Sequence, residues 1–249
     1  MCGHMASTKT ASGRTGAQRR GHLTQFSRVR RLSKRGAYDS ATIHAILDAA
    51  THCHVAHVIG GRPVATPTLH WRRGDWLYWH GSAASRMLGA NAAGGAVCVT
   101  ATLIDGFVLA RSGFNHSINY RSAMCFGIPA EITDAKAKSD ALEHFLEHWL
   151  PGRWAALRPP TRKELAATRV MSMPIDEASA KIREGGPHDP PADVSWPIWA
   201  GVIPLVTAAA APVPAEDYRG TLRPPRLAGL HCSTHRSRHL ASARAPRRN

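Results

Sequence analysis

Two adjacent glycines constrain this chain most. Gly60-Gly61 lies between two strand-like runs, 52–59 (HCHVAHVI) and 62–71, and a two-residue glycine loop in that setting is a hairpin turn. A second turn signal follows at once. Arg72-Arg73-Gly74-Asp75 separates the first hairpin from the short apolar strand Trp76-Leu77-Tyr78-Trp79. Tight turns of this kind join neighbouring antiparallel strands, so this part of the chain cannot be a βαβ unit.

The same punctuation recurs further on. A nearly continuous apolar strand is predicted over 96–104, turned by Asp105-Gly106 into a strand over 107–111. Another is predicted over 120–132, where Gly127 and Pro129 suggest a bulge or an edge. A last clear strand covers 168–175 and is followed by an amphipathic run to Glu184. Helices are inserted between these strands. Asp39 and Ser40 offer a cap to the periodic residues Ile43, Ile46, Leu47 and Ala50, and a short helix is predicted over 83–92. A longer one over 134–150 stops at Pro151-Gly152, and Thr161 to Glu164 has capping-box spacing. Residues 185–195 read as a Gly/Pro/Asp linker, and 196–205 as a packing or lid segment. The fold class is mainly β with inserted helices (α+β), a single antiparallel barrel of about six strands. No G-x-G-x-x-G or Walker-type loop occurs, so Rossmann and P-loop chemistry is not indicated.

The chemistry concentrates after Trp79. His80-Gly81-Ser82-Ala83-Ala84-Ser85-Arg86 is small and hydroxyl-bearing, ends in a cation and runs into a helix. Such a loop offers backbone N–H groups, two hydroxyls and a guanidinium to an anion, with phosphate the natural candidate. The same composition also makes ordinary turns, and serine is a common helix cap.

This hairpin and loop, with the later run His116-Ser117-Ile118-Asn119-Tyr120-Arg121-Ser122, resemble the pyridoxamine 5'-phosphate oxidase-like family. The likeness is to its flavin-nucleotide-binding branch, related to nitroimidazole-resistance reductases, and covers about residues 28–214. It implies a six-stranded split β-barrel of the FMN-binding type, a homodimer with FMN in clefts at the subunit interface. On the matching positions, Thr66, Pro67 and Thr68 would run along the flavin ring, and His80, Gly81 and Ser82 would approach the ribityl phosphate. Ser85 and Arg86 would grip that phosphate, while Asn119, Tyr120, Arg121 and Ser122 would be presented from the partner subunit. Many relatives carry two adjacent cations in the helix start, whereas here Met87 follows Arg86, which leaves fewer charges for the grip. No catalytic acid or base distinguishes itself. The substrate-phosphate cluster and late Trp/Arg signature of true pyridoxamine 5'-phosphate oxidases do not align, because no run of arginines surrounds Trp196 and Trp199.

Charge separates the chain into three parts. The formal net charge is +15, yet residues 1–35 hold nine Lys/Arg and no acid, and 219–249 hold eight Arg and no acid. The remaining 15 basic residues face all 17 acidic ones, so the middle is slightly acidic. The domains are therefore a basic disordered arm over 1–35, the FMN-binding split barrel over 36–214 and a basic disordered tail over 215–249. Nucleic acid would be met only non-specifically, through those tails. The five cysteines are odd in number and lack C-x-x-C spacing, and no apolar run is long enough to span a bilayer. These features point to a cytoplasmic protein with reduced thiols and no membrane partner.

Two histidine patterns compete with the flavin site. His144-Phe145-Leu146-Glu147-His148 spells H-x-x-E-H, but both histidines fall opposite the apolar helix face and no third carboxylate ligand is evident. His52 and His54 share one strand face and could take a metal or an axial position of haem. No metal site is assigned. The resulting expectation is an FMN-dependent oxidoreductase passing electrons from a reduced donor through FMN to a small acceptor. The alternatives are a non-catalytic flavin-binding, storage or sensor module, or the same fold holding haem or deazaflavin.

Overall fold

The computed structural model describes residues 23–225, 227 and 228. The first strands are β1 (Gly36–Ala37), β2 (Cys53–Ile59), β3 (Arg62–Thr68), β4 (His70–Arg73) and β5 (Trp76–Ser82). There follow β6 (Val97–Leu109), β7 (Ser117–Gly127), β8 (Ala130–Glu131), β9 (Thr168–Pro174), β10 (Glu177–Arg183) and β11 (Gly201–Pro204). The α-helices are α1 (Ser40–Ala49), α2 (Arg86–Ala92), α3 (Ala135–Trp149) and α4 (Arg162–Ala166). One sheet has the order β1-β10-β7-β6-β2-β3 with β11 added to β6, and the other has the order β4-β5-β9-β8. Every strand pair is antiparallel. This is the mainly β, antiparallel architecture that the turn pattern predicts, and the split-barrel class that the resemblance implies.

Local chemistry explains the helix ends. Asp39, Asp134 and Thr161 cap α1, α3 and α4 through their side chains, and Thr161 with Glu164 completes the capping box. The main core lies between the sheets, where Val55, Leu77, Trp79, Val99, Cys125 and Met171 meet α1 and α2. Trp79 is wholly buried, and its indole N–H donates to Asn91 Oδ1 at 3.2 Å. A smaller cluster sits outside the second sheet, where Trp71, Tyr78 and Phe145 pack α3 against it.

Two expectations are corrected by long-range pairing, and two others are made specific. The run 62–71 is two strands in different sheets, divided at Leu69. Asp105-Gly106 is not a hairpin turn: β6 runs straight through it with a register shift between Ile104 and Gly106. The run after 175 is strand β10, paired with β7. The predicted linker is pinned, because Asp189 accepts from the Arg111 backbone N–H and guanidinium at 2.9 Å each. At the amino end, Phe26 lies against Phe126 and the Val29 N–H donates to the Tyr38 hydroxyl at 2.9 Å, so residues 24–35 touch the barrel. Residues 1–22 and 229–249, with Cys2 and Cys232, lie outside the described residues. Among the described residues Cys53, Cys98 and Cys125 are free, and burial pushes the Cys53 and Cys125 thiols up to about 12. Among the described residues, no helix is long and apolar enough to cross a membrane.

His70, at the start of β4, ties the second sheet to α1. Its Nε2–H donates to the Leu47 carbonyl at 2.8 Å, and its buried Nδ1 has no partner. Protonation would place an unsatisfied N–H at that nitrogen, and burial pushes the ring's pKa down from 6.5 to about 4. A folded-state pKa lower than the unfolded one means that stability is complete above the unfolded value and declines as pH falls from 6.5 towards 4. The loss should reach about 3 kcal/mol. Urea unfolding across that range measures it, and His70→Gln should decline less steeply than the wild type. Parallel declines would remove His70 as the cause.

Candidate functional site

The hairpin of β2 and β3 and the start of α2 border an open recess of about 340 Å³ lined by His57, Ile59, Arg62, Val64, Thr66, Ser85, Arg86 and Met87. Strand pairing builds one wall. Ile59 lies opposite Arg62, His57 opposite Val64 and Val55 opposite Thr66, so these side chains project from one face of the hairpin. Ser85 builds the other wall: its hydroxyl caps α2 by accepting from the Leu88 N–H at 3.4 Å, which fixes the helix start and sets Arg86 facing the hairpin. Gly81 lets the helix approach, since a Cβ there would stand 3.1 Å from Leu88 Cδ1.

Three of the sequence-predicted residues, Thr66, Ser85 and Arg86, converge on this cavity. Arg62 joins them as a second guanidinium, from the far side of the hairpin rather than from the position after Arg86. His57 contributes a buried imidazole whose Nδ1 lies 3.2 Å from the Val55 carbonyl and whose Nε2 has no partner. Among the described residues, the cavity wall holds no carboxylate. Two guanidinium groups, two hydroxyls and a ring nitrogen in one recess suit an anion with several oxygens, a phosphate above all.

The other predicted residues lie elsewhere in the chain. Pro67 is on β3 opposite His54, and the Thr68 hydroxyl donates to the His80 carbonyl at 3.4 Å. The His80 ring packs edge-on against Phe145 and Trp71, with centroids 4.7 and 5.6 Å away, and burial lowers its pKa. Ser82 accepts from the Ala84 N–H at 3.2 Å. The run 119–122 belongs to β7, with β6 between it and β2. There Asn119 accepts from the Arg183 guanidinium and donates to the Gly185 carbonyl at 3.1 Å. Tyr120 lies opposite Ile104 and Arg183. Arg121 forms a two-bond pair with Asp105 at 2.9 and 2.7 Å, a hydrogen bond that raises its pKa further. Ser122 donates to the Lys181 carbonyl at 3.3 Å.

The family model described as pyridoxamine 5'-phosphate oxidase matches residues 39–182. The chain belongs to this family. The pyridoxamine 5'-phosphate oxidase match spans both cavity walls, from α1 to β10. Among solved structures, the flavocytochrome Anf3 from Azotobacter vinelandii is 40% identical over 81% of this chain and 94% of its own, with a TM-score of 0.77. The FAD- and haem-binding protein from Mycobacterium smegmatis is 41% identical over 77% of this chain and 94% of its own, with a TM-score of 0.73. No curated protein sequence matches significantly.

The competing histidine motif has a structural use. Glu147 accepts from the Gly152 and Trp154 N–H groups, at 2.5 and 2.8 Å, and so closes the turn after α3. These bonds hold its carboxyl below the usual carboxylate range. Among the described residues no group of three His, Cys, Asp or Glu could hold a metal ion.

Ser85 carries a structural duty that can be measured apart from any ligand. Ser85→Ala should cost about 1 kcal/mol through loss of the α2 cap, whereas Ser85→Thr or Ser85→Asp should retain most of it. Urea midpoints of the ligand-free variants test this. An unchanged midpoint for Ser85→Ala would show that the cap contributes nothing.

Proposed function

We propose that the protein is a flavin-nucleotide-binding oxidoreductase. The convergence of Arg62, Arg86, Ser85 and Thr66 on one recess, with no carboxylate among its described lining residues, carries this reading. That donor set fits the phosphate of FMN, and equally one phosphate of a dinucleotide flavin. Arg62 and Arg86 would clamp the anion from opposite walls, and the Ser85 hydroxyl, while capping α2, retains its own hydrogen to donate. Thr66, Pro67 and Thr68 would lie along the ring, with Asn119, Tyr120, Arg121 and Ser122 of a second copy completing a homodimeric site. When bound, the flavin supplies hydride and single-electron transfer, between a reduced donor and a small acceptor. The chain's contribution would be to hold the phosphate, orient the ring and exclude water from it. A carrier or sensor with the same cofactor is separated from an enzyme by turnover with NADH or NADPH above the rate of free flavin.

A second cofactor is favoured by the two similar solved structures, one a flavocytochrome and the other binding FAD and haem. The exposed rings of His52, just before β2, and His54, on β2, have centroids 5.4 Å apart and offer nitrogen ligands for haem.

The visible spectrum of the purified protein, and of the supernatant after heat denaturation, tests both readings. Flavin bands released on denaturation are expected, and a Soret band would add haem. A colourless protein that takes up no added FMN or FAD would overturn the proposal. Arg86→Glu should weaken FMN binding by roughly ten- to a hundred-fold, the loss of one hydrogen bond to a charged group. Unchanged affinity would remove Arg86 from the site.

A further inference from the structure

We propose that residues 23–35 are a docking surface for an anionic lipid bilayer, with Phe26 and Leu32 entering the headgroup region and the cations around them meeting lipid phosphates. The proposal does not depend on the cofactor. Three observations carry it. The loop is built rather than loose: the Thr24 hydroxyl donates to Glu177, the Val29 N–H donates to the Tyr38 hydroxyl at 2.9 Å, and the Arg35 N–H donates to the Leu32 carbonyl at 2.9 Å. Its apolar side chains nevertheless point away from the core, with Phe26 68%, Leu32 48% and Leu23 39% exposed. Leu32 holds φ at +54°, a left-handed setting that residues with a Cβ avoid, and in it the side chain stays in solvent.

The charge on the same loop selects the partner. Arg28, Arg30, Arg31 and Lys34 are exposed, Arg35 is half-buried, and residues 23–35 contain no acid. None of the five forms an ion pair with a described carboxylate. A second copy of the chain, docked about a two-fold axis, would set these like charges against themselves. Nucleic acid would use the cations and could stack on Phe26, but would leave Leu23 and Leu32 in water. An anionic bilayer takes both, because lipid phosphates meet the cations while the apolar side chains leave water at the headgroup boundary. The expectation of no membrane partner rests on the lack of a spanning run, and docking at the surface requires none.

Co-sedimentation of the full-length protein with vesicles tests the proposal. Vesicles of phosphatidylcholine with about one-third phosphatidylserine should bring the wild type down, and vesicles of phosphatidylcholine alone should not. Phe26→Ser should weaken binding by about tenfold, a part of the burial energy of one aromatic side chain. Replacing Arg30 and Arg31 together by Ala should weaken it by roughly twenty-fold, as for two cations near an anionic surface. Leu32→Gly separates docking from folding. It removes the side chain at a backbone setting that glycine adopts freely, so vesicle binding should fall severalfold without a lower urea midpoint. Unchanged binding in Phe26→Ser or Leu32→Gly would overturn the proposal and leave charge alone as the cause. Failure to bind either vesicle, or equal binding to both, would overturn it as well. So would a duplex oligonucleotide bound more tightly than the anionic vesicles and unaffected by Phe26→Ser, the behaviour of a nucleic-acid surface.

Discussion

Strand β6 is the constraint on which the rest depends. Its thirteen residues pair with β7 along one edge for nearly their whole length. The other edge is shared: β2 takes Cys98 to Thr100, and β11 takes Gly106 to Leu109. A strand too long for one neighbour must find two, or leave backbone groups without partners. The register shift between Ile104 and Gly106 separates these duties. Before it the odd-numbered residues Val97, Val99 and Ala101 face the core; after it Gly106 and Val108 turn inward. The β2–β3 hairpin, and with it the cavity, is held to the main sheet through the first half of β6.

What the sequence reveals about this fold is mostly local. Gly60-Gly61, the Asp39, Asp134 and Thr161 caps and the alternation over 53–59 each require only neighbours within a few residues, and each is found in place. Asp105-Gly106 is the instructive exception. The pair has hairpin chemistry, yet Asp105 is engaged by Arg121 across the ladder, and a Cβ on Gly106 would stand 2.8 Å from the Ile203 carbonyl. The glycine serves close approach by a strand nearly a hundred residues later, which no local pattern announces. Leu69 is similar, because the change of sheet there depends on two different partners.

The site was legible to the same extent. Ser85 and Arg86 belong to a contiguous loop-to-helix signal, so a motif finds them. Arg62 is contributed by strand parity across a hairpin, and the alternation Arg62, Val64, Thr66 was the available clue. His57 looked like one of several strand histidines. Its place in the lining of the recess, rather than its hydrogen bonding, sets it apart from His70 and His80, whose rings also keep one buried nitrogen without a partner. A slightly acidic middle segment can thus hold a locally cationic recess, since charge balance over 36–218 says nothing about which side chains a cavity gathers.

The last strand has a consequence for how the chain behaves while it is being made. β11 is short, ends in Pro204 and covers the free edge of β6 only after residues 185–200 have been laid down. Until then a row of unpaired N–H and C=O groups beside the exposed Phe107 is open to strand addition from another nascent chain. Pro204 then ends the sheet with a residue that has no N–H to offer the next strand. Chains cut before residue 201 would keep the cavity walls but lose that guard, so their risk is self-association rather than loss of the recess.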